Sequence, residues 1–516
     1  MTGTEGKCVE MRVGPGTVYL VGAGPGDPGL ITRRGLAVLR AADVVVYDRL
    51  ASPELLLEAR SDATLRYVGK AASDHALSQP EINQLLVDEA DAGRSVCRLK
   101  GGDPFLFGRG GEEADFLVEH GIDFEVVPGV SSALAVPAYA GIPVTDRRVA
   151  STLAIATGHE EAERDERQVD WQGLGQSADT LVVLMGMKNL REITQELLQG
   201  GKDGATPAAV IRWGTTGRQE TVASPLSTIA DEVERRRIKP PAVLVIGQVV
   251  GLSKRLDWFG KRPLLGMRVL VTRPRHQAGQ LADLLREAGA EPIVCPVIRI
   301  EPVPVDADRL RSLLGERWDW VLFTSANGVS CFGESLRGAG MDWRALPASR
   351  LGVMGPGTEA ELAKRELRVD FSPSQSVAEA LAAELPGVAQ GTRVLLARAE
   401  EAREALPEML RKRGALVEVL VTYRTVDDEA GAALAASALS EREVNVVTFT
   451  SSSTVRKLVR VVGAGALKPC LTASIGPITS QTAREYGLKV DVEAQEHTVP
   501  GLVAALKAHA RARRKQ

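Results

Sequence analysis

The chain has 516 residues, 44% of them hydrophobic and 25% charged, and a formal net charge of −3. That length exceeds a single hydrophobic core, and the composition is that of an ordinary globular protein with no low-complexity block. The near-neutral balance excludes a global pull toward nucleic acid or membrane, so an anionic ligand has to be met by local Arg and Lys. Cysteines stand singly at 8, 97, 295, 331 and 470, with no CxxC pair to signal a zinc site or a disulfide framework. The opening residues lack an apolar signal segment, and no run reaches the ~18 apolar residues of a membrane span. The expectation is a cytoplasmic protein. Its basic end, HARARRKQ, reads as a solvated helix terminus.

In chain order, TVYLVGAG predicts a strand, ITRRGLAVLRAA a helix and DVVVYD a strand. EINQLLVDEADAG predicts a helix, SVCRLKGGDP a strand running into a turn, and FEVVPG another strand. TLVVLMG, PAAVIRWG and PAVLVIGQVV continue the series. Apolar strands without alternation, separated by helices, indicate α/β sheets buried on both faces. The pattern runs down at LSKRLDWFGKRPLLG, which places a domain junction near residue 262. MRVLVTRP then restarts it, and the second half resembles itself. MRVLVTRP with QLADLLREAGAEP matches TRVLLARA with LPEMLRKRGALVE. WVLFTSANGV matches VVTFTSSSTV, and LGVMGPGTEAELAKREL matches ASIGPITSQTAREYG, all in the same order at offsets of about 120 to 126 residues. Two similar α/β lobes are expected there, with a cleft between them as the default binding site.

Gly24, Gly26 and Gly29 form a GxGxxG between strand and helix, and Asp48 ends the next strand 19 residues later. A dinucleotide site has that layout. Asp27, however, puts negative charge where pyrophosphate needs positive potential, and Pro25 and Pro28 remove N–H donors from the cradle. The plain alternative is a tight turn with Asp27 capping a helix.

VGAGPGDPGLIT, YDRL, VGK, RLKGGDPFLFGRGGEE, VVPGVSSALAVPAYAGIPVT and LMGMKNL together resemble the uroporphyrinogen-III C-methyltransferases of the tetrapyrrole (class III) methylase family, over residues 16–259. The resemblance implies a two-lobed α/β fold with S-adenosylmethionine bent into its cleft. It puts the cofactor against Pro25, Gly101, Gly102, Asp103, Leu106, Ser131, Ser132, Met185 and Gly214. Asp48 is implied as proton acceptor and Lys70 as proton donor, and a homodimer is implied as the assembly. A sulfonium cofactor suits glycines, which allow close backbone approach, and carbonyls or a carboxylate rather than anion-binding arginines. Two positions depart from the family pattern, Ala71 after the VGK lysine and Asp146 after the IPVT threonine. Both bear on substrate carboxylates, for which His75, Arg109, Arg147 and Arg148 are the nearby candidates.

LVTRP, FTSANGV, GPGT, VTYRT, FTSSSTV and SIGPITS resemble uroporphyrinogen-III synthase over residues 265–510. The resemblance implies a two-lobed α/β fold, lobe one from 265–301 plus 425–510 and lobe two from 302–424, with crossings near PVIRIEPV and EVLVTYRT. Tyr423 is implied as the acid that helps water depart. Thr272, Arg273, Ser325, Asn327, Thr358, Arg398, Ser451, Ser452 and Thr479 are the candidate substrate groups; the Ser and Thr residues also read as helix N-caps. No cofactor and no metal are expected in this half. Together the halves imply a bifunctional enzyme of siroheme and cobalamin synthesis. It closes hydroxymethylbilane to uroporphyrinogen III with ring D inverted, then methylates C2 and C7 to give precorrin-2. The alternative is a methylase of another corrin-pathway acceptor carrying a non-catalytic tetrapyrrole-binding second half.

Overall fold

The computed structural model describes residues 13–60, 62–69, 77–159, 169–346 and 349–514; Lys70, Ala71 and His75 lie outside them. The chain forms two compact units. Val269–Leu284 and Pro292–Ala512 make up the second, and the rest of the chain the first.

The first unit holds two five-stranded sheets. β1 (Val18–Gly22), β2 (Val44–Tyr47), β3 (Thr64–Tyr67), β4 (Val96–Lys100) and β5 (Phe124–Val127) lie in the order β3-β2-β4-β1-β5, all parallel. Side chains alternate between two apolar cores. Val18, Leu20, Val44, Val46 and Val96 pack on Leu86, Val87 and Leu117 on one face. Tyr19, Val21, Val45, Cys97 and Leu99 pack on Val38 and Leu39 on the other. Burial on both faces explains why these strands read as continuous apolar runs.

β6 (Leu153–Thr157), β7 (Thr180–Leu184), β8 (Pro207–Arg212), β9 (Glu220–Pro225) and β10 (Ala242–Ile246) form the second sheet, ordered β6-β7-β10-β8-β9. Here β10 runs antiparallel to β7 and β8, and β8–β9 is a hairpin. Neither β3 nor β9 stands out in the sequence, because both lie at a sheet edge and are largely exposed.

The second unit continues with β11 (Arg268–Val271), β12 (Glu291–Val294), β13 (Ile298–Pro302), β14 (Trp320–Phe323), β15 (Arg350–Val353), β16 (Arg393–Ala399), β17 (Leu416–Asp427), β18 (Val446–Phe449), β19 (Leu471–Ser474) and β20 (Val492–Glu493). They form two sheets, β12-β11-β18-β19-β20 and β13-β17-β16-β14-β15. The long β17 pairs antiparallel with β13, so Ile298–Pro302 belongs to the second of these sheets. The repeat is visible in the registers. Val269 pairs with Val446 in one sheet, and Val394 with Trp320 in the other. The cysteines within the described residues are buried and unpaired, and burial pushes the Cys97 thiol up to about 12. They act as small apolar core residues.

Candidate functional site

In the first unit the turns after β1, β4 and β5 meet backbone to backbone. Gly24 N–H donates to the Gly102 carbonyl at 3.2 Å, and Gly102 N–H donates back at 2.7 Å. A Cβ at Gly22 would stand 2.4 Å from the Gly129 Cα, and one at Gly129 only 2.3 Å from the Gly102 carbonyl oxygen. Asp103 secures the junction by accepting from Phe105 N–H at 2.8 Å and Gly129 N–H at 2.9 Å. Gly129→Ala is therefore expected to lower the unfolding midpoint of the first unit by several degrees, since overpacking costs about 1–3 kcal/mol. Calorimetry reads this directly, and an unchanged midpoint would mean the junction opens freely.

The GxGxxG turn is not a phosphate cradle. Asp27 accepts from Gly29 N–H at 2.8 Å, the capping role expected of it, and its other oxygen takes the Tyr139 hydroxyl at 2.8 Å. Burial and that carboxylate push the Tyr139 hydroxyl above its ordinary range. Asp27 N–H donates to Thr215 at 3.1 Å, and Gly26 abuts Thr216, so this turn touches the loop that carries Gly214. Gly214 itself backs onto Val136, where a Cβ would lie 2.4 Å from a methyl group. Leu106 packs on the core around Ala133 and Val136. Ser131 caps the helix Ser132–Tyr139, and its hydroxyl accepts from Ala133 N–H. Met185 follows β7, half exposed, with a left-handed φ of 55°. Pro25, Gly101, Gly102, Asp103, Ser131 and Ser132 thus line the carboxyl ends of the parallel strands, where α/β sheets bind ligands. Within Gly22–Asp27, Gly101–Leu106 and Pro128–Ser132 no cationic side chain occurs. A Cβ at Gly102 would meet nothing closer than the Ser132 nitrogen at 3.8 Å, so space is left open there.

Asp48 follows β2. One carboxylate oxygen accepts from Leu50 N–H at 2.9 Å, and the other faces the Arg98 guanidinium at 3.7 Å. Arg98 belongs to a buried charge cluster that the sequence reading passed over. Glu113, fully buried, takes Lys100 at 2.6 Å, Arg98 at 3.2 Å and Gln79 at 3.2 Å. Burial, then the neighbouring Arg98 charge, holds the Lys100 ammonium below the ordinary lysine range. The sequence signal was present: two cations alternate in an otherwise apolar strand, VCRLK, ahead of a helix beginning GGEE. Among the carboxylate candidates, Arg148 is held by Asp146 at 2.8 Å and Arg109 by Glu112 at 2.7 Å. The Asp146 carboxyl is pulled down to about 2 by its hydrogen bonds with Arg148.

In the second unit β17 carries Tyr423, buried with its hydroxyl 2.8 Å from the Ser325 hydroxyl. Ser325 caps the helix Ala326–Gly338 by accepting from Gly328 N–H, so capping and contact with Tyr423 coexist. Burial raises the Tyr423 hydroxyl above the usual tyrosine range, against the hydrogen bonds of Ser325 and Asn327. Gln277, absent from the sequence candidates, donates to Asn327 at 2.6 Å and accepts from Arg273 at 3.3 Å. Arg273, Gln277 and Asn327 are thereby joined into one polar chain, and Asn327 and Ser325 both act on the Tyr423 hydroxyl. Other candidates are spent locally. Thr272 donates to the Thr448 carbonyl, Arg398 is held by the Arg403 carbonyl and the Glu404 carboxylate, and Ser452 accepts from Thr482. Ser451 caps the helix Ser452–Leu467. Thr358 and Thr479 are buried in the first turns of Pro356–Ala363 and Pro477–Glu485, two helices whose N-termini lack a side-chain cap. Such free N–H groups favour anions.

Residues 17–230 match the family of tetrapyrrole (corrin/porphyrin) methylases, and residues 279–504 match uroporphyrinogen-III synthase HemD. A porphyrin biosynthesis protein HemD from Ruminiclostridium josui is 36% identical over 493 residues, covering 95% of this chain and 97% of the relative. The uroporphyrinogen-III C-methyltransferase of Priestia megaterium is 50% identical over 238 residues, 46% of this chain and all of that protein. A solved uroporphyrin-III C-methyltransferase from Thermus thermophilus, complexed with S-adenyl homocysteine, is 40% identical over 46% of this chain and 99% of its own, at a TM-score of 0.40. The class is thus a fusion of two α/β enzymes. More particularly, the chain belongs to the tetrapyrrole methylase family through its first half and to the uroporphyrinogen-III synthase family through its second. No helix among the described residues is long and apolar enough to cross a membrane.

Proposed function

We propose that this chain is a cytoplasmic bifunctional enzyme that makes uroporphyrinogen III from hydroxymethylbilane and methylates it at C2 and C7 to precorrin-2. The observation that carries the reading is the serial match of two consecutive pathway families along one chain. The first half is proposed to work as a homodimer.

S-adenosylmethionine, when bound, supplies an electrophilic methyl group. The strand-end turns with Gly101, Gly102, Asp103, Ser131 and Ser132 suit such a sulfonium, offering close backbone and no competing cation. Pro25, Leu106, Met185 and Gly214 complete the proposed cofactor wall. Asp48 takes the proton that leaves the methylated pyrrole carbon, and Lys70 donates or holds a substrate carboxylate. In the second half Ser325 donates to the Tyr423 oxygen, which leaves the phenolic proton for the departing hydroxyl of the bilane. Water leaves, the terminal ring closes through a spiro intermediate, and a ring-carbon proton is released. Arg273, Asn327, Thr358, Ser451 and Thr479 surround the folded substrate, a task chiefly of positioning.

The deciding assay supplies purified protein with hydroxymethylbilane, with and without S-adenosylmethionine, and resolves the products by isomer. Uroporphyrinogen III that becomes dimethylated with the cofactor supports the reading; uroporphyrinogen I alone sinks it. Tyr423→Phe is expected to slow ring closure by up to about a hundredfold and leave methylation of supplied uroporphyrinogen III unchanged. The raised Tyr423 hydroxyl keeps its proton beyond the ordinary range, so the alkaline fall of the wild-type closing rate should lie above the usual tyrosine range. An equal loss of both activities in Tyr423→Phe would refute the assignment.

A further inference from the structure

The internal repeat of the second unit places two arginines at equivalent positions. Arg273 lies two residues beyond β11, whose neighbour is β18, and Arg398 lies near the end of β16, whose neighbour is β14; the two pairs share one register. Their surroundings differ. The Arg398 guanidinium is buried and neutralised by Glu404, with a second bond to the Arg403 carbonyl at 3.0 Å. Arg273 has no carboxylate partner among the described residues. Among the described residues its side-chain hydrogen bond is to the neutral Gln277 amide at 3.3 Å, and its Nε, like that of Arg398, is buried with no hydrogen bond. Burial pushes this guanidinium below its usual range. Gln277 meanwhile reaches Asn327 at 2.6 Å, and Asn327 lies near enough to the Tyr423 hydroxyl to act on its ionisation, while that hydroxyl meets Ser325 at 2.8 Å.

A partly buried cation without a counter-ion carries a desolvation cost, and a bound anion offsets it. We propose that Arg273 is the carboxylate anchor of the second unit's cleft, and that Gln277 is a positioning residue coupling the anchor to Tyr423 across the two lobes. The anchored group is a carboxylate arm of the tetrapyrrole, which engages the free Nε and an adjacent Nη as a planar fork. Gln277 fixes the guanidinium from one side and aligns Asn327 on the acid from the other. Its neutrality matters: a carboxylate at 277 would compete with the substrate, as Glu404 does at the equivalent arginine. This assignment rests on the ring-closing reading of the second unit.

The informative variant is Gln277→Glu in the full chain, because an added ion pair does not threaten folding. KM for hydroxymethylbilane is expected to rise about tenfold or more, with the thermal midpoint of the second unit undiminished. Arg273→Met should raise KM similarly, and Arg273→Lys should recover part of the loss. Gln277→Ala should lower kcat several-fold, keep KM within about threefold, and move the alkaline limb of the closing rate, which loss of packing alone would not do. An unchanged KM in Gln277→Glu overturns the anchor, and an unchanged kcat in Gln277→Ala overturns the coupling. If wild type closes no uroporphyrinogen III, the ring-closing reading fails by itself. The anchor is then judged by fluorescence titration with uroporphyrin III, where a curve for Arg273→Met identical to wild type overturns it and weaker binding upholds it.

Discussion

Asp48→Ala is expected to lower methyl transfer by about 10²- to 10⁴-fold, the range a lost proton acceptor produces. Ring closure by the same purified chain should stay within about twofold, since Asp48 and its partners Leu50 and Arg98 belong to the first unit. The expectation rests on how the carboxylate is held. Leu50 N–H fixes one oxygen at the end of β2, and the other points to Arg98 at 3.7 Å, too long for a strong ion pair. One oxygen therefore keeps lone pairs for a substrate proton. Asp48→Asn keeps the bond to Leu50 and removes the basicity, so it should lose nearly as much activity at unchanged stability. Methylation by Asp48→Asn within about threefold of wild type would remove Asp48 from the chemistry.

Glu113→Ala should destabilise the first unit by about 3–5 kcal/mol, the cost of leaving buried charge uncompensated. Glu113 has no exposed surface and is the shared anion for Lys100 and Arg98, both nearly as buried. Without it, two cations face each other in the core that also contains Leu86 and Leu117. Lys100 is already held below its ordinary range and would shed its proton, whereas Arg98 cannot. The loss should therefore be smaller at alkaline pH, where Lys100 is neutral in the variant. Glu113→Gln retains a hydrogen-bonding oxygen and should cost less. The measurement is the urea midpoint at which methyl transfer is lost, recorded at pH 7 and pH 9. A midpoint equal to wild type would mean that water reaches the cluster.

The two candidate sites were legible in the sequence to different depths. In the first unit Gly101, Gly102, Asp103, Ser131 and Ser132 form contiguous turns at strand ends, so residue types and order already place them at one sheet edge. Glu113 and Arg98 were missed because their meaning is mutual. A Glu in a GGEE helix start reads as solvated until the sheet buries it against β4. In the second unit Ser325 and Ser451 were readable as caps, because capping is local. Gln277 was not, since its partner Asn327 is fifty residues away in the chain and on the other lobe.

By itself the sequence determined the alternation of strands and helices, the change of pattern near residue 262 and the threefold internal match in the second half. Each follows from residue types over short windows, where periodicity and turn chemistry suffice. Only the tertiary structure decided how the repeats are shared out. β11 pairs with β18, which carries β19 on its other side, while β14 pairs with β16 and carries β15 on its other side, so each lobe mixes segments of both copies. Strand partners are chosen by burial and register across the whole unit, and a local match carries no record of that choice. The same holds for the paired arginines. Arg273 and Arg398 look alike as residues, and what separates them is the carboxylate of Glu404, which the fold brings to one and not to the other.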